Sequence, residues 1–337
     1  MAVLVTGGAG YIGSHTSIEL LEAGHEVIIV DNLCNSDKIV LERIKELSGK
    51  SPKFYEIDIT DKEKMEVVFK ENKINSIIHF AALKAVGESV AMPVEYYSNN
   101  LISTLVLFEL MKKYNVKNFV FSSSATVYGD PEKLPILEDS SLSVTNPYGR
   151  TKLMIEDMLR DIYYADNSLN IAILRYFNPI GAHKSGIIGE EPNGIPNNIM
   201  PYITKVAVGQ LPHLNVFGDD YNTVDGTGVR DYIHVLDLAH GHVKALEKLS
   251  ENPGIVTYNL GTGRGYSVLE LVKAFSKASG KEIPYKITDR RPGDIASCYS
   301  DPTKAEKELG WKAKYGIDEM CEDSWRWQSQ NPNGYKK

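Results

Sequence analysis

Seven residues, Gly7-Gly8-Ala9-Gly10-Tyr11-Ile12-Gly13, and what flanks them limit what this chain can fold into. Residues 2–6 are a short apolar run that reads as a buried strand, and residues 14–23 carry the spacing of a helix. Gly7, Gly10 and Gly13 between a strand and a helix make the setting a dinucleotide loop needs. Glycines let the backbone turn tightly and approach a pyrophosphate, and the helix N-terminus adds amide donors and partial positive charge. A second strand, 26–30, ends in Asp31. A carboxylate there can accept from both ribose hydroxyls and would repel a 2′-phosphate, which points to NAD rather than NADP.

The alternation continues. Residues 53–57, 76–80 and 118–122 read as strands, and 62–71 and 93–114 as helices. Strands alternating with helices specify an α/β fold with a doubly wound parallel sheet of Rossmann type. Ligands of such sheets lie beyond the C-terminal ends of the strands. The glycine loop, Asp31, Asp58, the segment from Phe80 to Lys84 and Ser122-Ser123-Ser124 each follow one of those ends. Asn99, inside the long helix, either points the same way or is a surface amide. Residues 171–177 add a strand that ends at Asn178-Pro179.

From 179 to 230 the chain turns rich in Gly, Pro and Asn (Asn197 among them), poor core material and suited to a binding lobe folded over a cleft. A helix over 235–249, a strand over 257–260 and a glycine turn over 261–265 without phosphate-loop spacing follow. Ser267-x-x-Glu270 is a capping box that opens a helix over 268–278, and 317–328 is a last amphipathic helix. The expectation is a Rossmann domain over 1–178, rejoined by segments around 231–260, and a smaller C-terminal α/β substrate-binding lobe over 179–337.

One short stretch carries chemistry. Tyr148 and Lys152 stand four apart at the head of a helical run, so their side chains share a face. An ammonium beside a phenol favours the phenolate and lowers its pKa from about 10 toward neutrality. A tyrosine so placed can take a proton from an alcohol at neutral pH. The pair alone is a weak signal, and its plainer reading is a tyrosine packed under a helix.

Composition narrows the classes. A net charge of −7 with no basic stripe argues against a nucleic-acid partner. Cys34, Cys298 and Cys321 are scattered and form no metal spacing, which suggests free thiols in a reducing compartment and no metal. Asp219-Asp220-Tyr221-Asn222 with Asp225-Gly226 lacks the spacing of a calcium loop. No stretch is long and apolar enough to span a membrane, and the N-terminus runs straight into a strand. The expectation is a cytoplasmic protein.

The glycine loop, Asp31, Ser122-Ser123-Ser124 and Tyr148-x-x-x-Lys152 together resemble the extended short-chain dehydrogenase/reductase family. Longer motifs, at residues 6–15, 79–89, 122–129, 175–179 and 226–235, are similar to its UDP-hexose 4-epimerase branch, and the likeness spans nearly the whole chain. The resemblance implies reversible C4 epimerisation of UDP-glucose and UDP-galactose through a 4-keto sugar, with hydride held transiently on tightly bound NAD. It gives Tyr148 the proton transfer, Lys152 the tyrosine's pKa and a ribose contact, and Ser124 a hydrogen bond to the reacting oxygen. Carried onto this chain, its cofactor contacts are Tyr11, Ile12, Asp31, Asn32, Leu33, Cys34, Asn35, Ser36, Asp58, Ile59, Phe80, Ala81, Lys84, Asn99 and Phe177. Its nucleotide-sugar contacts are Asn178, Asn198, Ile199, Phe217, Arg230, Arg291 and Asp294, the arginines suiting a diphosphate.

Rival activities on this fold need other residues. Nucleotide-sugar 4,6-dehydratases use an Asp-Glu pair, and decarboxylases a Glu, where this chain has Ala125 and Thr126. A different NAD-dependent nucleotide-sugar epimerase and a non-catalytic NAD-binding regulator remain as alternatives, the latter having no need of Ser124, Tyr148 and Lys152. Counted from Arg291-Pro292-Gly293-Asp294, the family's position near the sugar C2 substituent falls on Cys298, with Tyr299 as the neighbouring register. A small residue there implies room for an N-acetyl group and use of UDP-GlcNAc and UDP-GalNAc as well. The resemblance also implies a homodimer through the helices over 93–114 and 151–165.

Overall fold

Every residue of β1 (Ala2–Thr6) is buried, because this apolar run without alternation has both faces covered. The structure is a computed structural model that describes residues 1–194, 196, 198–291 and 293–335; Ile195, Asn197, Pro292, Lys336 and Lys337 lie outside the described residues. After β1 come β2 (Glu26–Asp31), β3 (Lys53–Glu56), β4 (Ser76–His79), β5 (Asn118–Ser124), β6 (Asn170–Tyr176), β7 (Asn178–Ile180), β8 (Leu214–Phe217), β9 (Val229–His234), β10 (Ile255–Leu260), β11 (Gly265–Ser267), β12 (Tyr285–Thr288) and β13 (Ser297–Cys298). The helices are α1 (Tyr11–Glu22), α2 (Ile39–Ser48), α3 (Lys62–Glu71), α4 (Val86–Ala91), α5 (Pro93–Tyr114), α6 (Pro147–Ala165), α7 (Ile199–Ala207), α8 (Val235–Leu249), α9 (Val268–Ser279), α10 (Thr303–Leu309) and α11 (Ile317–Gln330).

Seven strands form one parallel sheet in the order β10-β6-β5-β4-β1-β2-β3. The order reverses between β1 and β4, which opens a crevice beyond their C-terminal ends. Apolar residues of α1, α2 and α8 pack on one face of the sheet and those of α3, α5 and α6 on the other. The glycine loop sits at the crevice. Gly7 has φ +68°, and a Cβ at Gly13 would overlap the Gly7 carbonyl oxygen, so the turn has no room for side chains there.

A smaller lobe holds β9 between β11 and β13, with β7 also on β9, and a two-stranded pair of β8 and β12. Residues 179–230 supply more core than their composition predicts: Met200, Ile203 and Val206 of α7 and Leu214 and Val216 of β8 are buried with α9 and α11. Pro201 and the surrounding glycines break the apolar period, which hides these short elements in the sequence. α2, α10 and β12 are further short elements that the sequence reading did not anticipate. The 261–265 turn is organised by the fully buried Asp231, which accepts from Thr262 N (2.8 Å), Gly263 N (3.1 Å) and Ser300 N (3.1 Å). The capping box forms, Glu270 N donating to Ser267 Oγ at 3.0 Å. No helix of the described residues is long and apolar enough to cross a membrane.

Between sheet and helices lies a buried ion pair. Arg175 Nε and Nη2 donate to Glu156 Oε1 (2.9 Å) and Oε2 (2.6 Å), both side chains being at most 2% exposed. Ser123 donates to the same carboxylate (2.6 Å), and Arg175 also donates to Tyr128 Oη (2.9 Å) and the Glu138 carbonyl (2.9 Å). Removing one partner leaves a buried charge alone, so Arg175→Leu should cost about 3–5 kcal/mol in denaturant unfolding. Arg175→Leu combined with Glu156→Met should lose less than Arg175→Leu alone.

Candidate active site

The site begins where α6 begins. Asn146 accepts from Gly149 N at 2.8 Å and Pro147 occupies the first turn, so the helix takes in the whole Tyr148-x-x-x-Lys152 stretch. Tyr148 and Lys152 therefore both lie on the helix, one turn apart. Ser124 ends β5, and its hydroxyl accepts from Thr126 N at 3.2 Å across the short 3₁₀ turn Ala125–Tyr128. Ser124 is near enough to Tyr148 to work against the rise of the phenol's pKa. The three residues meet at one strand end.

The electrostatics differ from the sequence expectation. Burial raises the Tyr148 phenol to about 12, with Ser124 opposing that shift. Burial also lowers the Lys152 ammonium to about 7, with Glu156 working the other way. Lys152 does not hydrogen-bond the phenol: Nζ donates to the Ser122 carbonyl at 2.7 Å and lies 5.9 Å from the Tyr148 ring centroid. The correction has a simple cause. Desolvation penalises each charge alone, and at this distance it outweighs the attraction of the ammonium.

The residues at the crevice suit a dinucleotide. Gly10 caps α1 without a side-chain acceptor, so first-turn amides face the crevice for an anion. Asp31 is buried at the end of β2 and accepts from Ala9 N (3.0 Å), Leu33 N (2.9 Å) and Ser36 Oγ (3.0 Å). That gathers the glycine loop and the 32–36 loop around one carboxylate. Asn32 Nδ2 donates to Asp58 at 3.1 Å, and Ile59 is buried beneath. Phe80 and Ala81 follow β4, and the Phe80 ring lies 4.7 Å from that of His242. Tyr11 Oη donates to the Gly181 carbonyl at 2.7 Å. Asn99 is half-buried, donating to Asn100 Oδ1 at 2.9 Å, and Asn100 accepts from Leu83 N at 2.8 Å.

On the lobe side, Phe177 is buried with Ala125, Val127 and Cys298. Cys298 pairs in register with Arg230, and burial raises its thiol to about 11. Tyr299 follows β13 with its ring near Gly265, whereas Cys298 is buried in the cluster that holds Phe177. The Arg291 guanidinium sits 4.6 Å from the Phe217 ring centroid and pairs with Asp294 at 3.0 Å. Arg230 donates to the Val229 carbonyl at 2.8 Å. Asn178 is exposed at the start of β7, Asn198 donates to Glu190 Oε1 at 2.8 Å, and Ile199 opens α7.

Several residues here were not legible as site residues. Thr126 has a buried hydroxyl without a hydrogen-bond partner, and it lies against Gly149 beside the tyrosine. Glu156 and Arg175 brace the lysine's helix against Ser123. Glu190 faces Lys84 at 3.7 Å. No spacing rule points to any of them. Of the acidic stretch weighed as a calcium loop, Asp220 pairs with Arg290 at 2.7 Å, and Asp225 accepts from Thr227 and Ser267.

A glycine loop at a sheet reversal, with Ser, Tyr and Lys gathered at the neighbouring strand end, defines the extended short-chain dehydrogenase/reductase class. The family model described as GDP-mannose 4,6 dehydratase matches residues 4–324. A UDP-glucose 4-epimerase of Bacillus subtilis is 66% identical over 336 residues, covering 100% of this chain and 99% of that one. The crystal structure of UDP-glucose 4-epimerase from Bifidobacterium longum in complex with NAD+ and UDP superposes with TM-score 0.97 at 60% identity, covering 99% of this chain and 100% of that one. The enzyme from Stenotrophomonas maltophila, with bound NAD and formylated UDP-arabinopyranose, gives TM-score 0.96 at 51% identity, covering 99% of each chain. The chain belongs to this family and, within it, to the UDP-glucose 4-epimerases.

The Lys152 shift makes a stability prediction. Its folded pKa lies below the unfolded value, so the unfolded chain binds more protons between about 7 and about 10.5. The penalty is full below that window and vanishes above it. In cofactor-stripped protein, the Tm of Lys152→Met minus that of the native chain should therefore be most positive near pH 6 and should shrink steadily toward pH 10, as read by scanning calorimetry.

Proposed function

We propose that the chain interconverts UDP-glucose and UDP-galactose by inverting C4, with Ser124, Tyr148 and Lys152 as the catalytic group. The observation that carries this reading is the meeting of Ser124 and Tyr148 at one strand end, above a lysine held by the Ser122 carbonyl. Tyr148 takes the proton from the C4 hydroxyl and returns it after the sugar has presented its other face. Ser124 donates to the reacting oxygen and relays the proton. Lys152, held in place by Ser122, keeps a cation one helical turn from the phenolate, so the two buried charges form where each compensates the other. Bound NAD supplies reversible uptake of the C4 hydride. The glycine loop, Asp31 to Ser36, Asp58, Ile59, Phe80, Ala81, Lys84, Asn99 and Phe177 would hold it. Asn178, Asn198, Ile199, Phe217, Arg230, Arg291 and Asp294 would hold the nucleotide sugar. For that, Arg291 turns from Asp294 to the diphosphate, a planar fork exchanging one oxyanion for another.

In this reading residues 1–178 form the NAD-binding domain, rejoined by α8 and β10 of the segments around 231–260 while β9 stays with the smaller lobe, and 179–337 is mainly the nucleotide-sugar domain. The small, buried Cys298 beside Phe177 leaves room for an N-acetyl group at C2, which extends the substrates to UDP-GlcNAc and UDP-GalNAc. The three free thiols fit a reducing cytoplasm.

The dimer has a physical basis as well. α5 buries Tyr96, Asn100, Ser103, Leu107 and Met111, while Val94, Ile102 and Leu105 on its other side are 70%, 44% and 47% exposed, and Met154 of α6 is 39% exposed. Two copies meeting on this face would close a symmetric helical bundle.

Purified protein given UDP-galactose should form UDP-glucose, and given UDP-GalNAc should form UDP-GlcNAc, as resolved by chromatography. Cys298→Tyr should keep the first conversion and lose the second by about 10-fold or more. Equal exclusion of the N-acetyl sugar by both proteins would remove the Cys298 reading. Failure on every UDP-hexose, with NAD supplied, would remove the functional one. Ile102→Glu should convert the dimer to monomer in sedimentation analysis.

A further inference from the structure

One segment of the smaller lobe reaches across the cofactor crevice. Asn193 is far in sequence from the loop after β2, yet its backbone N donates to Asn35 Oδ1 (3.1 Å) and its Nδ2 to the Cys34 carbonyl (3.0 Å). Three residues earlier, the Glu190 carboxylate reaches Lys84 in the loop after β4 at 3.7 Å. β2 and β4 flank β1 on either side, and the glycine loop follows β1. A chain fastened to the loops after β2 and β4 therefore passes over whatever the glycine loop holds.

The segment is rooted as well. Tyr335 Oη donates to the Gly189 carbonyl (3.1 Å) and accepts from Gly189 N (3.2 Å), and its ring lies 4.7 Å from that of Trp327 on α11. Gly189 is thus held from below while Glu190 and Asn193 reach forward. We propose that residues 189–194 are a strap over the dinucleotide, fastened by Asn193 and anchored by Tyr335, and that opening this strap limits cofactor release. The inference rests on the functional reading above, since it takes the ligand beneath the strap to be NAD. It explains how a cofactor regenerated in each cycle stays with the protein. The Asn193 contacts are neutral hydrogen bonds at an exposed loop, so they can open without disturbing the sheet.

The test is release of bound dinucleotide from the holoenzyme, diluted into a dinucleotide-consuming scavenger and sampled by rapid gel filtration. Asn193→Ala should release it about 10-fold faster than the native protein, and Tyr335→Phe about 3–10-fold faster. Release of dinucleotide from Asn193→Ala at the native rate would overturn the strap. Fast release from Asn193→Ala with native release from Tyr335→Phe would overturn the anchor. If cofactor-stripped Asn193→Ala also melts more than about 3 °C lower, the residue ties the lobes together and the proposal falls. A native protein that carries and takes up no dinucleotide would instead overturn the functional reading itself.

Discussion

The Glu156–Arg175 ion pair is the contact on which the geometry of the site depends. Glu156 lies one turn beyond Lys152 on α6, Arg175 on β6, and Ser123 next to Ser124 on β5. A single carboxylate, accepting from Arg175, Ser123 and Arg160, thus fixes how far the lysine's helix stands from the serine's strand. Tyr128 extends the brace, since its hydroxyl accepts from Arg175 and donates to Asn259 of β10 at 2.6 Å. Buried ion pairs contribute little net stability. This one contributes position.

Burial then sets the chemistry. The cleft that brings Tyr148 and Lys152 together also removes water from both, and each is pushed toward its neutral form. A neutral amine and a neutral phenol carry the same number of protons as an ammonium and a phenolate. Moving one proton between them changes no net charge, which is why a dry site can reach the reactive pair without taking up or losing protons.

Much of this was legible in the sequence. The parallel sheet follows from apolar runs alternating with helical spacing, and the glycine loop from three glycines in the right setting. The Ser-Tyr-Lys group follows from local spacing and resemblance. The rest needed contacts between distant residues. Arg175 looks like any strand-end arginine until Glu156 is beside it. Asn193 sits in a stretch whose composition reads as irregular, and its partners lie in another lobe. The pKa expectation for Tyr148 differed for a related reason: spacing along a helix reports which groups are neighbours, and burial of the pair decides the sign. Which side of α5 packs on the sheet was likewise not separable in the sequence, whereas the fold shows it directly.

Asp231 has a wider consequence. The turn over 261–265 presents backbone amides in the manner of an anion-binding nest, and the protein fills that nest with its own carboxylate, bonded also by the Ser300 hydroxyl at 2.6 Å. A nest satisfied internally does not compete for free phosphate or for the diphosphate of a substrate. The lobe thereby gains a rigid corner that carries β9, and with it Arg230, to the cleft. The molecule uses one anion-binding geometry twice: open at the glycine loop to receive a ligand, and closed on a side chain where it serves only as a hinge pin.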